Sequence, residues 1–213
     1  MPACAACGTE NPDIARFCLA CGSPMASATA APAPVAAPAA AVAPAEERKV
    51  ITAVFVDLVG STARSEKLDP EDVKALIKPY HARVRSELEG HGGTFEKFVG
   101  DAVLALFGAP RPYEDDPERA IRAALAIKDG IAQLNAEDEW LDLHFRVGIH
   151  TGEALVMLDA KASEGEWTAA GDVLNTAARI QSAAPVDGIV VGELTYDSTR
   201  SRFEFRELEP VPA

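Results

Sequence analysis

Apolar positions first become continuous at "KVITAVFVDL", where β-branched residues dominate and a buried strand is predicted over about residues 49–58. Asp69-Pro70 then supplies an N-cap and a first-turn proline. Val73, Leu76, Ile77, Tyr80, Val84 and Leu88 follow at helical spacing until Gly90. Pro79 falls inside that run and predicts a kink, because it lacks the donor that the helix ladder needs. Two short apolar runs, 94–99 and 102–107, flank Gly100-Asp101 and read as a hairpin. Asp116-Pro117 opens a second helix with Ile121, Leu125, Ile127, Ile131 and Leu134 roughly on one side. "HFRVGIHTGEALVML" reads as a strand pair turning at Thr151-Gly152, followed by a helix over about 171–183 and a last strand in "GIVVGE". The order βαββαβ is the ferredoxin-like unit, so the fold class expected is α/β of the α+β kind.

Upstream of that unit the pattern changes twice. From Ala26 to Ala45 the sequence "ASATAAPAPVAAPAAAVAPA" has prolines among small residues, which suits an extended linker and neither a core nor a membrane span. Before it, all four cysteines fall at Cys4, Cys7, Cys18 and Cys21, spaced C-x2-C-x10-C-x2-C with glycine after the second and fourth. Each C-x2-C presents two thiolates from a tight knuckle, and two knuckles complete a closed tetrahedral zinc site. A pair of disulfides would use the same residues, but a cytosolic chain with cysteines nowhere else favours the metal. Three segments are therefore expected: a zinc ribbon over 1–25, a flexible linker over 26–45 and a main domain over 46–213.

Charge narrows the range of functions. Of 213 residues, 25% are charged and 6% aromatic, and the net charge is −13. So acidic a chain is not a nonspecific nucleic-acid binder, and the ribbon has only Arg16 against Glu10 and Asp13. A polyphosphate ligand would need metal ions or a local cluster of basic side chains. No apolar run approaches the ~20 residues of a membrane span, and "MPACAACGTE" is not a secretory signal, so a cytoplasmic location is expected without membrane contact.

Candidate chemistry begins with Asp101, a carboxylate at the turn of an otherwise apolar hairpin. Alone it is ordinary turn chemistry. A second carboxylate, Asp57, ends the first predicted strand, and in a βαββαβ sheet the two can converge, which is stable with cations between them. "LVGST" follows Asp57 at a strand-to-helix transition, where backbone amides can meet phosphate oxygens or the hydroxyls can simply cap a helix. Asn175 and Arg179, at i and i+4, share one helical face that could equally be solvated.

"VFVDLVGST", "KFVGDAVLALFG", "RVGIHTGEALV" and "AAGDVLNTAARI" resemble, in order and spacing, the motifs of class III nucleotidyl cyclases over about residues 49–207. The resemblance implies conversion of ATP or GTP to the 3′,5′-cyclic nucleotide and pyrophosphate. It makes Asp57 and Asp101 ligands of two Mg2+ or Mn2+ ions, one activating the ribose 3′-hydroxyl and one clamping the triphosphate. It gives the backbone of Leu58, Val59, Gly60, Ser61 and Thr62 a phosphate-cradling role, and Arg146 a contact to the triphosphate. Asn175 would position the ribose, and Arg179 would stabilise charge on the α-phosphate through its planar fork.

Base choice rests on Lys97, whose ammonium can donate to adenine N1, and on Thr168, where many adenylate cyclases have Asp. The Lys/Thr pair resembles the subgroup that includes the bicarbonate-responsive enzymes. In the family, metal ligands and Lys97 come from one protomer while Thr168, Asn175 and Arg179 come from the other, so a head-to-tail homodimer would carry two sites. His81, His91, His144 and His150 read as structural or exposed. The family continues with a basic loop and a last strand beyond the equivalent of "FEFRELEPVPA"; either the sequence is a piece of a longer protein with regulatory domains downstream, which is the expectation favoured, or the last phosphate contact is missing. The reading is an adenylate cyclase in cyclic-nucleotide signalling. The alternative is a catalytically weak nucleotide-binding or dimerisation module of a larger signalling protein.

Overall fold

The computed structural model describes residues 2–25, 46–61, 64, 66, 68–157 and 169–208. The expected linker lies outside them, as do Thr62 and Thr168. The chain divides into two compact units, Met1–Val42 and Ala43–Ala213.

The first unit is built from two copies of one turn. Gly8 N–H donates to the Cys4 carbonyl (2.8 Å) and Gly22 N–H to that of Cys18 (2.9 Å). Both glycines sit at positive φ, 76° and 72°, which side chains with a Cβ rarely adopt.

The second unit is a six-stranded sheet with helices on both faces. Its elements are β1 (Glu46–Leu58), α1 (Pro70–Gly90), β2 (Thr94–Val99), β3 (Ala102–Phe107), α2 (Asp116–Glu137), β4 (Phe145–Met157), β5 (Ala169–Ala170), α3 (Asp172–Ala183), β6 (Gly188–Val191) and α4 (Glu193–Thr199). The path is β2-β3-β1-β4-β5, with β6 parallel to β4 and the other pairs antiparallel. β1 is thus a central strand, flanked by the hairpin on one side and β4 on the other.

Strand alternation divides the core into two layers. Val54, Val56, Val103 and Phe107 face α1 and α2, meeting Tyr80, Leu88 and Ile127. Ile51, Ala53, Leu104 and Leu106 face the opposite way, with Val173 and Leu174 of α3. α1 runs as one helix with Pro79 inside it. Leu125 departs from its expected place: it is 43% exposed, because the buried stripe of α2 follows Ala120, Ala124, Ile127 and Ile131 instead.

The expected turn at Thr151-Gly152 is absent. β4 is one strand of 13 residues, paired with β1 from Phe145 opposite Leu58 to Met157 opposite Glu46. Thr151 is buried in that ladder, its hydroxyl bonded to those of Thr52 (2.9 Å) and Thr195 (2.8 Å). Gly152 serves close packing: a Cβ there would lie 3.3 Å from a methyl of Val173. Gly148, in the same strand, lets the α3 backbone settle directly on the sheet, since its Cβ would lie 2.3 Å from Gln181 N.

Candidate active site and metal centre

Asp57 is the penultimate residue of β1, and Asp101 closes the β2–β3 turn. Gly100 at φ 68° makes that turn possible. The pairing of β1 with β3 brings the turn beside the end of β1, and the two carboxylates sense one another. Burial, and then the charge of Asp101, push the Asp57 carboxyl above the ordinary carboxylate range. Opposing this are a hydrogen bond from Gln181, the Leu58 N–H and the charge of Arg146. Arg146 lies directly opposite Asp57 in the β1–β4 register. Its Nε is buried and has no hydrogen-bond partner among the described residues.

The second carboxylate is held from two sides. Asp101 Oδ2 accepts a short hydrogen bond from Ser61 Oγ, and its backbone carbonyl accepts from His81 Nε2 at 3.3 Å. His81 also stacks on Phe98, with ring centroids 4.0 Å apart. His81 is thus part of the support for the hairpin turn, closer to the site than its sequence position implied. Tyr80, beside it, is fully buried, and burial together with Asp57 and Asp101 pushes its phenol well above the ordinary value.

The expected phosphate cradle is only partly free. Leu58 completes the β1–β4 ladder opposite Phe145, and the Val59 N–H donates to the His144 carbonyl at 2.8 Å. Neither residue offers the free amide expected of it: the Val59 amide is taken by the His144 carbonyl and the Leu58 amide by the Asp57 carboxylate. Gly60, at φ 74°, begins the turn, and Ser61 is buried against Asp101. Thr62 lies outside the described residues.

Lys97 lies opposite Leu104, where a bulge between Phe95 and Lys97 shifts the register. Burial draws its ammonium below the ordinary lysine value, while the neighbouring Glu96 opposes the shift. Lys97 borders a cavity of about 420 Å³ together with Phe55, Leu104, Asn175 and Ala178. Asn175 and Arg179 are exposed on α3, and Arg179 Nη2 donates to Thr176 Oγ1 at 3.0 Å. Lys97 and Asn175 of a single chain therefore share one cavity, and Arg179 is not among the residues that line it.

Sequence reasoning missed Gln181. This buried α3 residue donates from Nε2 to Asp57 Oδ2 at 3.2 Å, across 124 positions of sequence. The one available signal was Gly148, a mid-strand glycine that marks close approach by another backbone.

In the first unit, the sulfur atoms of Cys4, Cys7, Cys18 and Cys21 all lie within 4.8 Å of one another, and none forms a disulfide. Cys4 and Cys21 are 3.7 Å apart and Cys7 and Cys18 3.5 Å. Four thiolates on a tetrahedral zinc at ~2.3 Å would be about 3.8 Å apart, so the donor set fits that ion. Backbone N–H groups of Cys21 and Ala20 lower the Cys18 thiol to about 6, which favours the ligating thiolate.

A family model described as the adenylate and guanylate cyclase catalytic domain matches residues 43–212. The chain belongs to this family. A zinc-ribbon model matches residues 4–25 ahead of the cyclase domain. "Adenylate cyclase 1" of Rhizobium meliloti (strain 1021) is 34% identical over 137 residues, covering 63% of this chain and 21% of the relative. This chain spans only 14% to 24% of the length of the first curated relatives it matches. Among solved structures, the adenylyl cyclase CyaB from P. aeruginosa is similar at TM-score 0.68 and 28% identity, over 74% of this chain and 84% of that one. The guanylyl cyclase Cya2 is similar at TM-score 0.64 and 31% identity, over 71% of this chain and 79% of that one. Cyclases of both base specificities thus stand among the similar proteins. Among the described residues, no helix is long and apolar enough to cross a membrane.

Proposed function

We propose that the cyclase domain is an adenylate cyclase, forming 3′,5′-cyclic AMP and pyrophosphate from ATP at sites shared between two head-to-tail copies. The observation that carries this reading is Asp57 at the end of the central strand β1, its charge disfavoured by burial and by the nearby Asp101, with Arg146 opposite it. An acid whose charge is disfavoured by burial and by a neighbouring carboxylate is suited to a divalent cation. Bound Mg2+ or Mn2+ would supply the Lewis acidity that makes the ribose 3′-hydroxyl a nucleophile. The 3′-oxygen attacks the α-phosphorus, the bond to the bridging oxygen breaks, pyrophosphate leaves, and the hydroxyl proton passes to solvent water.

The protein groups hold and stabilise. Arg146 meets the triphosphate, and Gly60, Ser61 and Thr62 approach its oxygens. Lys97 donates to adenine N1 with Thr168 as its partner, which is the basis for choosing ATP over GTP. Asn175 orients the ribose, and Arg179 neutralises charge growing on the α-phosphate. In this reading the partner copy supplies Thr168, Asn175 and Arg179, closing over the groove that Lys97 borders. The ribbon carries one structural zinc. Four cysteines clustered as free thiols, with none in a disulfide, support a cytoplasmic location.

Production of cyclic AMP and cyclic GMP from Mn2+ with ATP or GTP tests the activity; nucleotide binding without product would favour a regulatory module instead. Shared sites are tested by mixing Asp101→Ala with Asn175→Ala protein. Each alone should be inactive, and the mixture should recover activity through dimers with one intact site. If Lys97 and Asn175 act in the same chain, mixing recovers nothing.

A further inference from the structure

The bond from Gln181 to Asp57 is the one polar link between α3 and the proposed metal pair that the described residues show. Three features make it more than an incidental contact. Gln181 is 7% exposed, and a buried carboxamide is costly unless its donors are used. Its main chain has little freedom to drift, because Gly148 lies directly beneath its N and Cα atoms. Its acceptor is the carboxylate that burial and Asp101 jointly disfavour in the charged form.

We propose that Gln181 is a positioning residue for Asp57: its Nε2 fixes the rotamer of the carboxylate, keeping one oxygen committed and turning the other toward Asp101. This rests on the reading of Asp57 as a metal ligand. A carboxylate at a strand end can otherwise swing between its neighbours, with Arg146 opposite as a competing partner. Ordering by a neighbouring donor is how ligands just outside a metal's own shell raise its affinity, and losing one such donor typically weakens binding about 10–100-fold.

The test is Mn2+ binding to the nucleotide-free full chain, followed by electron paramagnetic resonance of the free ion, for wild type, Asp57→Asn and Gln181→Met. Methionine keeps length and apolar volume but has no donor. Chelation by the ribbon thiols is removed as a variable by saturating that site with zinc first. The expected result is loss of the carboxylate site in Asp57→Asn and about a tenfold higher dissociation constant in Gln181→Met. Equal affinity in Gln181→Met and wild type, with Asp57→Asn defective, overturns the positioning role and leaves the metal reading standing. Equal affinity in all three overturns the metal reading, and this inference with it. Should Gln181→Met fail to fold, Gln181→Asn asks the same question, because its amide is one methylene too short to reach Asp57; wild-type affinity there overturns the proposal.

Discussion

Gly148→Ala places one methyl group where the sheet and α3 touch. The new Cβ would lie 2.3 Å from Gln181 N, 2.5 Å from Ala177 O and 2.7 Å from Gln181 Cα. All three are backbone atoms, so no side chain can rotate away. Ordinary contact begins near 3.4 Å, and α3 must therefore lift from β4 by about 1 Å. Overpacking of this kind costs about 1–3 kcal/mol, which for a unit of this size lowers the melting temperature by roughly 2–12 °C. The effect on rate should be larger. Asn175 and Arg179 ride on the displaced helix, and a misplacement of about 1 Å in a positioning element can cost about a hundredfold. Thermal melts and cyclic-nucleotide production of the variant beside wild type measure both terms. Wild-type melting together with wild-type turnover would refute the seating of α3 on Gly148. A lowered melting point with full turnover would show that the helix position does not govern the chemistry.

Three further outcomes are expected. Lys97→Glu replaces the donor in the base pocket with an acceptor and should shift preference from ATP toward GTP; an unchanged ratio of the two products would remove Lys97 from base recognition. Zinc should be found at one ion per chain, retained at pH 7 and released only on acidification well below the metal-free Cys18 value of about 6, because the bound ion competes with the proton for the thiolate; a colorimetric zinc assay on wild type and Cys18→Ser follows it, and an equal zinc content in the two proteins would count against ligation by Cys18. His144 donates through Nδ1 to Asp187 Oδ2 at 2.7 Å, and that bond, with Asp187 and Asp142 charges, raises its pKa above the ordinary 6.5. Its contribution to stability is then full below about 6.5 and lost as pH rises through the higher folded value. Denaturant midpoints should fall between pH 6 and pH 8 by more in wild type than in His144→Gln; equal falls would assign the pair no role.

Much of this architecture is legible where local pattern and tertiary environment agree. The apolar run ending in Asp57, the hairpin around Gly100-Asp101 and the helix from Pro70 to Gly90 each carry their own start and stop signals. Thr151-Gly152 misleads because a threonine and a glycine suit a turn locally, whereas the full-length pairing with β1 and the weight of Val173 decide the matter. Leu125 misleads for a related reason: small alanines, not the leucine, let α2 approach the sheet. Val59 shows the limit for the phosphate turn, since only the fold reveals that the His144 carbonyl takes its amide. Gln181 left only the indirect mark of Gly148, because its partner is 124 positions away.

Gln181 and Arg179 are two residues apart on one helix, hence roughly 200° apart around its axis. Rolling α3 to improve the reach of Arg179 would drag the carboxamide off Asp57, and the reverse roll would withdraw the guanidinium. Any activating signal that acts through α3 is therefore limited in how far it can turn the helix, and the close seat of its backbone on Gly148 tightens that limit.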